Sequence, residues 1–268
     1  RWRALPYVTM QLLHFDERVL VTDLVAQADW NHEAVLSQAA ALAQRLWLAD
    51  AAEVALGLLD HAIPRLPPHY LLHFSRGEVL NHLGRFDEAE TEFLHCLALE
   101  PAYPHGYLSL VQNRRPDVPG ARAARIRSAI AAASTTEDLV PLNYALFHEL
   151  DGAGDVDGAW SALESGARMQ RDGISYDDGT EQRNLAQLIA SFEGMAPLDQ
   201  GRAPIGSRRG YIFIVGLPRS GTTLLDRMFG NHPLVASAGE LNSFSRSLSW
   251  DINAYYEPPP SDAIVQRA

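Results

Sequence analysis

HFSRGEVLNHLGRFDEAETEFLHCLALEP, residues 73–101, carries small and large residues in the order that two antiparallel helices require. Gly77 and Leu80 fall on one face of a first helix, Ala89, Phe93 and Cys96 on one face of a second, and Gly84 stands between them. Side chains three and four residues apart share a helix face, so this spacing sets small residues opposite large ones and lets two backbones approach closely. Gly84 breaks the first helix, Asp87 is placed to cap the second just after Phe86, and Pro101 ends the unit.

Working backwards by 34 residues gives Ala43, Leu46, Asp50, Ala52, Ala55, Leu59, Ala62 and Pro67, with Asp50 where glycine stood. A later copy follows in Phe147, Leu150, Gly154, Val156, Ala159 and Leu163. Between them, 107–134 reads as a degenerate unit interrupted by Pro116 and Pro119, its second helix expected over 120–133 with Ile126 and Ile130 on one face. That makes about four helix pairs, the outer ones imperfect, and residues 1–30 are expected to add a helical cap. The pattern resembles the tetratricopeptide repeat (TPR) and implies an N-terminal all-α TPR helical solenoid over 1–173. Such helices bury their faces only by stacking, which leaves a concave groove. The resemblance implies a peptide or protein partner in that groove, with a spacer or dimerisation surface as the alternative. Cys96 takes a position that wants a small buried residue, and Trp47 and Trp160 are expected in the core. His61, His69, His73, His82 and His95 follow no metal-ligand spacing, although His69 and His73 are four apart on one helix face.

Composition narrows the classes of function. A formal net charge of −11 argues against general binding to nucleic acid or an anionic membrane, both of which select for basic patches. The 268 residues include one cysteine, which excludes an internal disulfide and fits a reducing, cytoplasmic setting. No apolar run approaches the ~20 residues of a membrane span.

The second informative stretch is YIFIVGLPRSGTTLL, residues 211–225. An apolar β-branched run enters a glycine turn and then a Ser/Thr-rich helix start, the arrangement that aims backbone N–H groups at a phosphate. Gly216 and Gly221 match the first half of a nucleotide-binding P-loop, but Thr222 stands where the lysine belongs, and all 22 basic side chains of the protein are arginine. An ATP-grasping kinase or ATPase is thereby disfavoured. Arg219 is the expected anchor, since its planar fork suits a phosphate or sulfate oxyanion.

GLPRSGTTLL, followed by His232-Pro233 and Gly239-Glu240, resembles the 5′-phosphosulfate loop of sulfotransferases, in particular bacterial TPR-containing ones and, more distantly, tyrosylprotein sulfotransferases. The resemblance implies an α/β, P-loop-like sulfotransferase domain using 3′-phosphoadenosine 5′-phosphosulfate (PAPS) and no metal. It implies that Gly216, Pro218, Arg219, Ser220, Gly221, Thr222 and Thr223 bind the donor. By the same resemblance Arg219 also acts in catalysis, and Glu240, 21 residues beyond it, is the catalytic base. His232 is expected to be a structural hydrogen-bonding residue. Tyrosine enzymes carry a second acid beside the base, whereas Gly239 and Leu241 flank Glu240 here.

The expected organisation is a repeat domain over 1–173, a linker with a docking helix over 174–207, and the start of a sulfotransferase domain over 208–268. The helix is expected at 181–192 through Leu185, Leu188, Ile189 and Phe192, and 194–207 as the mobile linker. About sixty residues after Gly210 are too few for a doubly wound sheet, so this part is expected to be incomplete and inactive as it stands. The rival expectation is a non-catalytic TPR scaffold carrying a vestigial loop.

Overall fold

A computed structural model describes residues 2–113, 121–192, 210, 212–217, 219–237 and 239. The chain divides into two compact units, Arg1–Tyr176 and Asp177–Ala268.

The first unit is helical throughout its described residues. Its helices are α1 (Leu5–His14), α2 (Arg18–Ala26), the single turn α3 (Glu33–Leu36), α4 (Ala39–Leu48), α5 (Ala52–Ala62), α6 (Tyr70–His82), α7 (Phe86–Leu99), α8 (Pro104–Asn113), α9 (Ala121–Ala132), α10 (Thr136–Gly152) and α11 (Val156–Asp172). They stack in two layers. First helices of successive pairs lie side by side, α1 on α4, α4 on α6, α6 on α8 and α8 on α10. Each second helix packs against the first helix of the next pair: α2 on α4, α5 on α6, α7 on α8 and α9 on α10. The core runs along the seam between the layers through Leu42, Leu46, Leu58, Leu59, Leu80, Phe93, Leu110, Ile126 and Leu142. Burying each such side chain contributes roughly 1.5–3 kcal/mol.

Four of the hairpin turns share one construction. Asp16, Asp50, Gly84 and Gly154 all take left-handed backbone, with φ of 60°, 61°, 74° and 81°. Each donates its N–H to the carbonyl three residues back, while the next residue reaches five back. For the third turn these bonds are Gly84 N to Asn81 O at 3.0 Å and Arg85 N to Leu80 O at 2.9 Å. This is a Schellman closure, which satisfies carbonyls that a helix end would otherwise leave open. Left-handed backbone is free for glycine and tolerable for aspartate. Arg18 helps hold both aspartates, bonding Asp16 Oδ1 at 2.9 Å and also Asp50.

Three expectations change here. Residues 1–30 contain a full helix pair in register with the next, not just a cap: Thr9, Asp16, Val21, Val25 and Ala28 stand 34 before Ala43, Asp50, Ala55, Leu59 and Ala62. Asp87 does not cap α7. Arg85 is the N-cap and makes no side-chain cap bond, and Asp87 lies in the first turn, where its charge faces the positive helix end. Trp160 is 66% exposed and not core. Its register equivalents are the buried Leu56 and the partly buried Glu90, which Arg122 of α9 approaches to 3.8 Å. Other expectations hold. Cys96 is fully buried and its thiol is pushed up to about 12 by burial, Trp47 packs on the core, and α9 carries buried Ile126.

Gly77 shows why small residues are needed. A Cβ there would lie 2.5 Å from Cε1 of Phe93, which is wholly buried. Gly77→Ala is therefore expected to destabilise the first unit by about 1–2 kcal/mol, the overpacking penalty exceeding the gain in helix propensity. A lower urea midpoint at unchanged helicity would show it, and an unchanged or raised midpoint would refute it.

The second unit contains α12 (Asp178–Phe192) and α13 (Thr222–Gly230). Leu185 and Ile189 on α12 are 58% and 56% exposed. Among the described residues no β-strand forms, so the α/β architecture expected after residue 208 is not seen. Ile212, Phe213 and Val215 keep their β-favouring side chains exposed. A strand exists only through ladder bonds to a neighbour, and no described segment supplies one.

Candidate functional site

The loop before α13 turns back on itself. Ser220 donates its N–H to Leu217 O at 3.1 Å, and Gly216 lies tightly against the far side of the turn. A Cβ on Gly216 would meet Ser220 Oγ at 2.6 Å and Thr222 Cγ2 at 2.9 Å, so a larger residue would force these side chains to turn away. Arg219 and Gly221 are both left-handed, with φ of 66° and 95°. For arginine that backbone costs roughly 1–2 kcal/mol, and strain of this kind gathers at functional sites. Arg219 is exposed at the bend.

α13 opens without a side-chain cap. Its N-cap is Gly221, whose carbonyl accepts Leu225 N at 3.0 Å. The first-turn N–H groups of Thr222 and Thr223 thus point out of the helix end, with no side-chain oxygen among the described residues closing it. The helix dipole adds positive potential there. Gly216, Arg219, Ser220, Gly221, Thr222 and Thr223 therefore share one turn and helix start. Pro218 and Glu240 lie outside the described residues.

Beyond α13 the chain is tied down twice. His232 Nδ1 accepts Leu234 N at 3.2 Å, and His232 N bonds Phe229 O at 2.9 Å, the structural role expected of it. Ser237 Oγ lies 2.9 and 2.8 Å from the two oxygens of Asp226 and accepts Gly239 N at 3.2 Å. Gly239 then turns left-handed at φ 66°. Asp226 on α13 thereby fixes the backbone one residue before Glu240. Neither Asp226 nor Ser237 stood out in the sequence; their 11-residue separation matches no local motif.

The first unit offers a separate surface. A cleft of about 580 Å³ is lined by His105 and Leu108 of α8, Val140 and Tyr144 of α10, and Met169 of α11. Beside it stands an aromatic row: Tyr103 meets Tyr70 at 4.8 Å, Phe74 at 5.1 Å and His105 at 5.8 Å between centroids. Burial pushes the Tyr103 phenol up to about 12.

With this geometry in view, residues 211–258 match the sulfotransferase family. Over 189 residues the chain is 26% identical to an uncharacterized protein of Aquifex aeolicus (strain VF5), covering 70% of this chain and 24% of that protein. Over 132 residues it is 32% identical to the signal recognition particle subunit SRP72 of Homo sapiens, covering 45% of this chain and 18% of that protein. The chain thus spans about a quarter or less of the length of these curated relatives. No solved structure matches it. No described helix is long and apolar enough to cross a membrane.

Proposed function

We propose that the protein is a PAPS-dependent sulfotransferase whose helical array presents a protein or peptide hydroxyl to the donor. The observation that carries the proposal is the uncapped start of α13 behind a strained Arg219, with Gly216 packed against Ser220, inside the segment that matches the sulfotransferase family. The backbone N–H groups of the loop and α13 would hold the 5′-phosphosulfate, with Ser220, Thr222 and Thr223 offering hydroxyls. The acceptor oxygen attacks sulfur in line as the bond from sulfur to the phosphate oxygen breaks. Glu240 takes the acceptor's proton. Arg219 and the helix end stabilise the charge that develops on the departing 3′,5′-adenosine bisphosphate. A cytoplasmic setting fits a chain with one buried thiol.

The test is calorimetric titration of 3′,5′-adenosine bisphosphate into the intact protein. Saturable binding supports a donor site. Its absence in folded protein would leave a helical repeat scaffold that binds peptides in the cleft by α8, α10 and α11.

Ser237 gives a finer check. Ser237→Ala removes the link between Asp226 and Gly239, and one such hydrogen bond is worth about 0.5–1.5 kcal/mol. In a catalytically competent longer form, turnover is expected to fall by about tenfold at unchanged bisphosphate affinity, because the base is loosened and the donor loop is not. Equal loss of affinity and turnover would show that Ser237 only stabilises the loop.

A further inference from the structure

α6 and α7 bring together three donors that sulfuryl transfer does not use. His73 of α6 and Glu92 and His95 of α7 each offer one ligand atom, and these atoms all lie within 4.8 Å of one another. His73 Nδ1 is 2.7 Å from Glu92 Oε2, and His95 Nδ1 is 4.0 Å from Glu92 Oε1. The two imidazoles meet edge to face with centroids 5.4 Å apart.

Glu92 is the fixed point of the group. It is 7% exposed, and Arg76 donates to its Oε1 at 2.8 Å. Arg76 is held in turn by Asp60 of α5 at 2.7 Å. Arg76 lies among Asp60 and Glu92, so with neutral imidazoles the cluster carries one net negative charge. A carboxylate oriented from behind by a hydrogen-bonding partner is the arrangement that metal centres use to aim a ligand.

We propose that His73, Glu92 and His95 form a binding site for a divalent transition-metal cation, zinc foremost, with water as the fourth ligand. Two imidazoles and one carboxylate are a borderline donor set that favours zinc over calcium or magnesium. Tetrahedral bonds of 2.0–2.1 Å place ligand atoms about 3.3 Å apart. Metal binding would require the close His73–Glu92 pair to open slightly and the half-exposed His95 to swing in. The ion would clip α6 to α7 across the turn at Gly84, stiffening the middle of the array. This site is independent of the donor loop, so neither proposal depends on the other.

The experiment is calorimetric titration of zinc into the intact, chelator-treated protein, with cobalt(II) absorption as a reporter of coordination. One equivalent is expected to bind at micromolar concentration, with the intense visible bands of four-coordinate cobalt. His95→Ala alters a half-exposed side chain that the fold does not need, and it should weaken binding at least tenfold. His73→Ala should do the same, while His82→Ala on the same helix should leave binding unchanged. Zinc should also raise the thermal midpoint of the parent protein and not that of His95→Ala. Millimolar affinity, octahedral cobalt spectra, or undiminished binding in His95→Ala would overturn the site.

Discussion

Arg219→Ala is expected to reduce affinity for 3′,5′-adenosine bisphosphate by about a hundredfold or more. A bidentate guanidinium contact supplies two charge-assisted hydrogen bonds, each worth roughly 1.5–3 kcal/mol, and each 1.4 kcal/mol is tenfold in affinity. The left-handed backbone at Arg219 makes a second variant informative. Arg219→Gly removes the same guanidinium while relieving the strain at φ 66°, so the loop keeps its shape. If both variants lose binding, the fork is the anchor. If the glycine variant binds like the parent, the loop backbone carries the anion and the role given to Arg219 is wrong. Arg219→Lys keeps the charge without the fork and should recover only part of the affinity.

Phe93→Ala is expected to cost about 3–5 kcal/mol, the usual range for truncating a buried aromatic side chain. Phe93 is wholly buried, fills the space over Gly77 and lies 6.1 Å from Phe74. Its place matters as much as its size. In a stacked array each pair is stabilised chiefly by its neighbours, so weakening a central pair uncouples the two sides. Urea unfolding followed by circular dichroism should change from one transition to two, and amide exchange should accelerate first in α6 and α7. A single transition moved by less than about 1 kcal/mol would refute this account.

Sequence made the central repeats readable because their pattern has a mechanism. Gly77 opposite Phe93 and the turn residues Asp50 and Gly84 each answer a steric demand that recurs every 34 residues. The first pair was hidden because Thr9 and Val21 stand where later units have glycine or alanine, and Val25 stands where they have the larger Leu59 and Phe93. Thr9 stays buried by donating its hydroxyl to Leu5 O at 2.9 Å. The glycines of the phosphate-type loop were legible for the same steric reason, and the left-handed state of Arg219 was not. The contact from Asp226 to Ser237 and the meeting of His73 with Glu92 and His95 depend on how separate elements fold back. No local spacing announces them. β-propensity at Ile212, Phe213 and Val215 described side chains suited to a sheet, but a strand is a property of two segments and not one.

The turns at Asp16, Asp50 and Gly84 also decide how such a chain can grow or shrink. They stand 34 residues apart and are closed by the same pair of hydrogen bonds. A block of 34 residues lost or duplicated between two of them rejoins like to like, with every helix still capped and every apolar face still inward. One residue added inside a helix instead rotates all that follows by about 100° and turns the seam toward water. Changes of length in this half of the molecule are thus quantised, and the quantum is one hairpin.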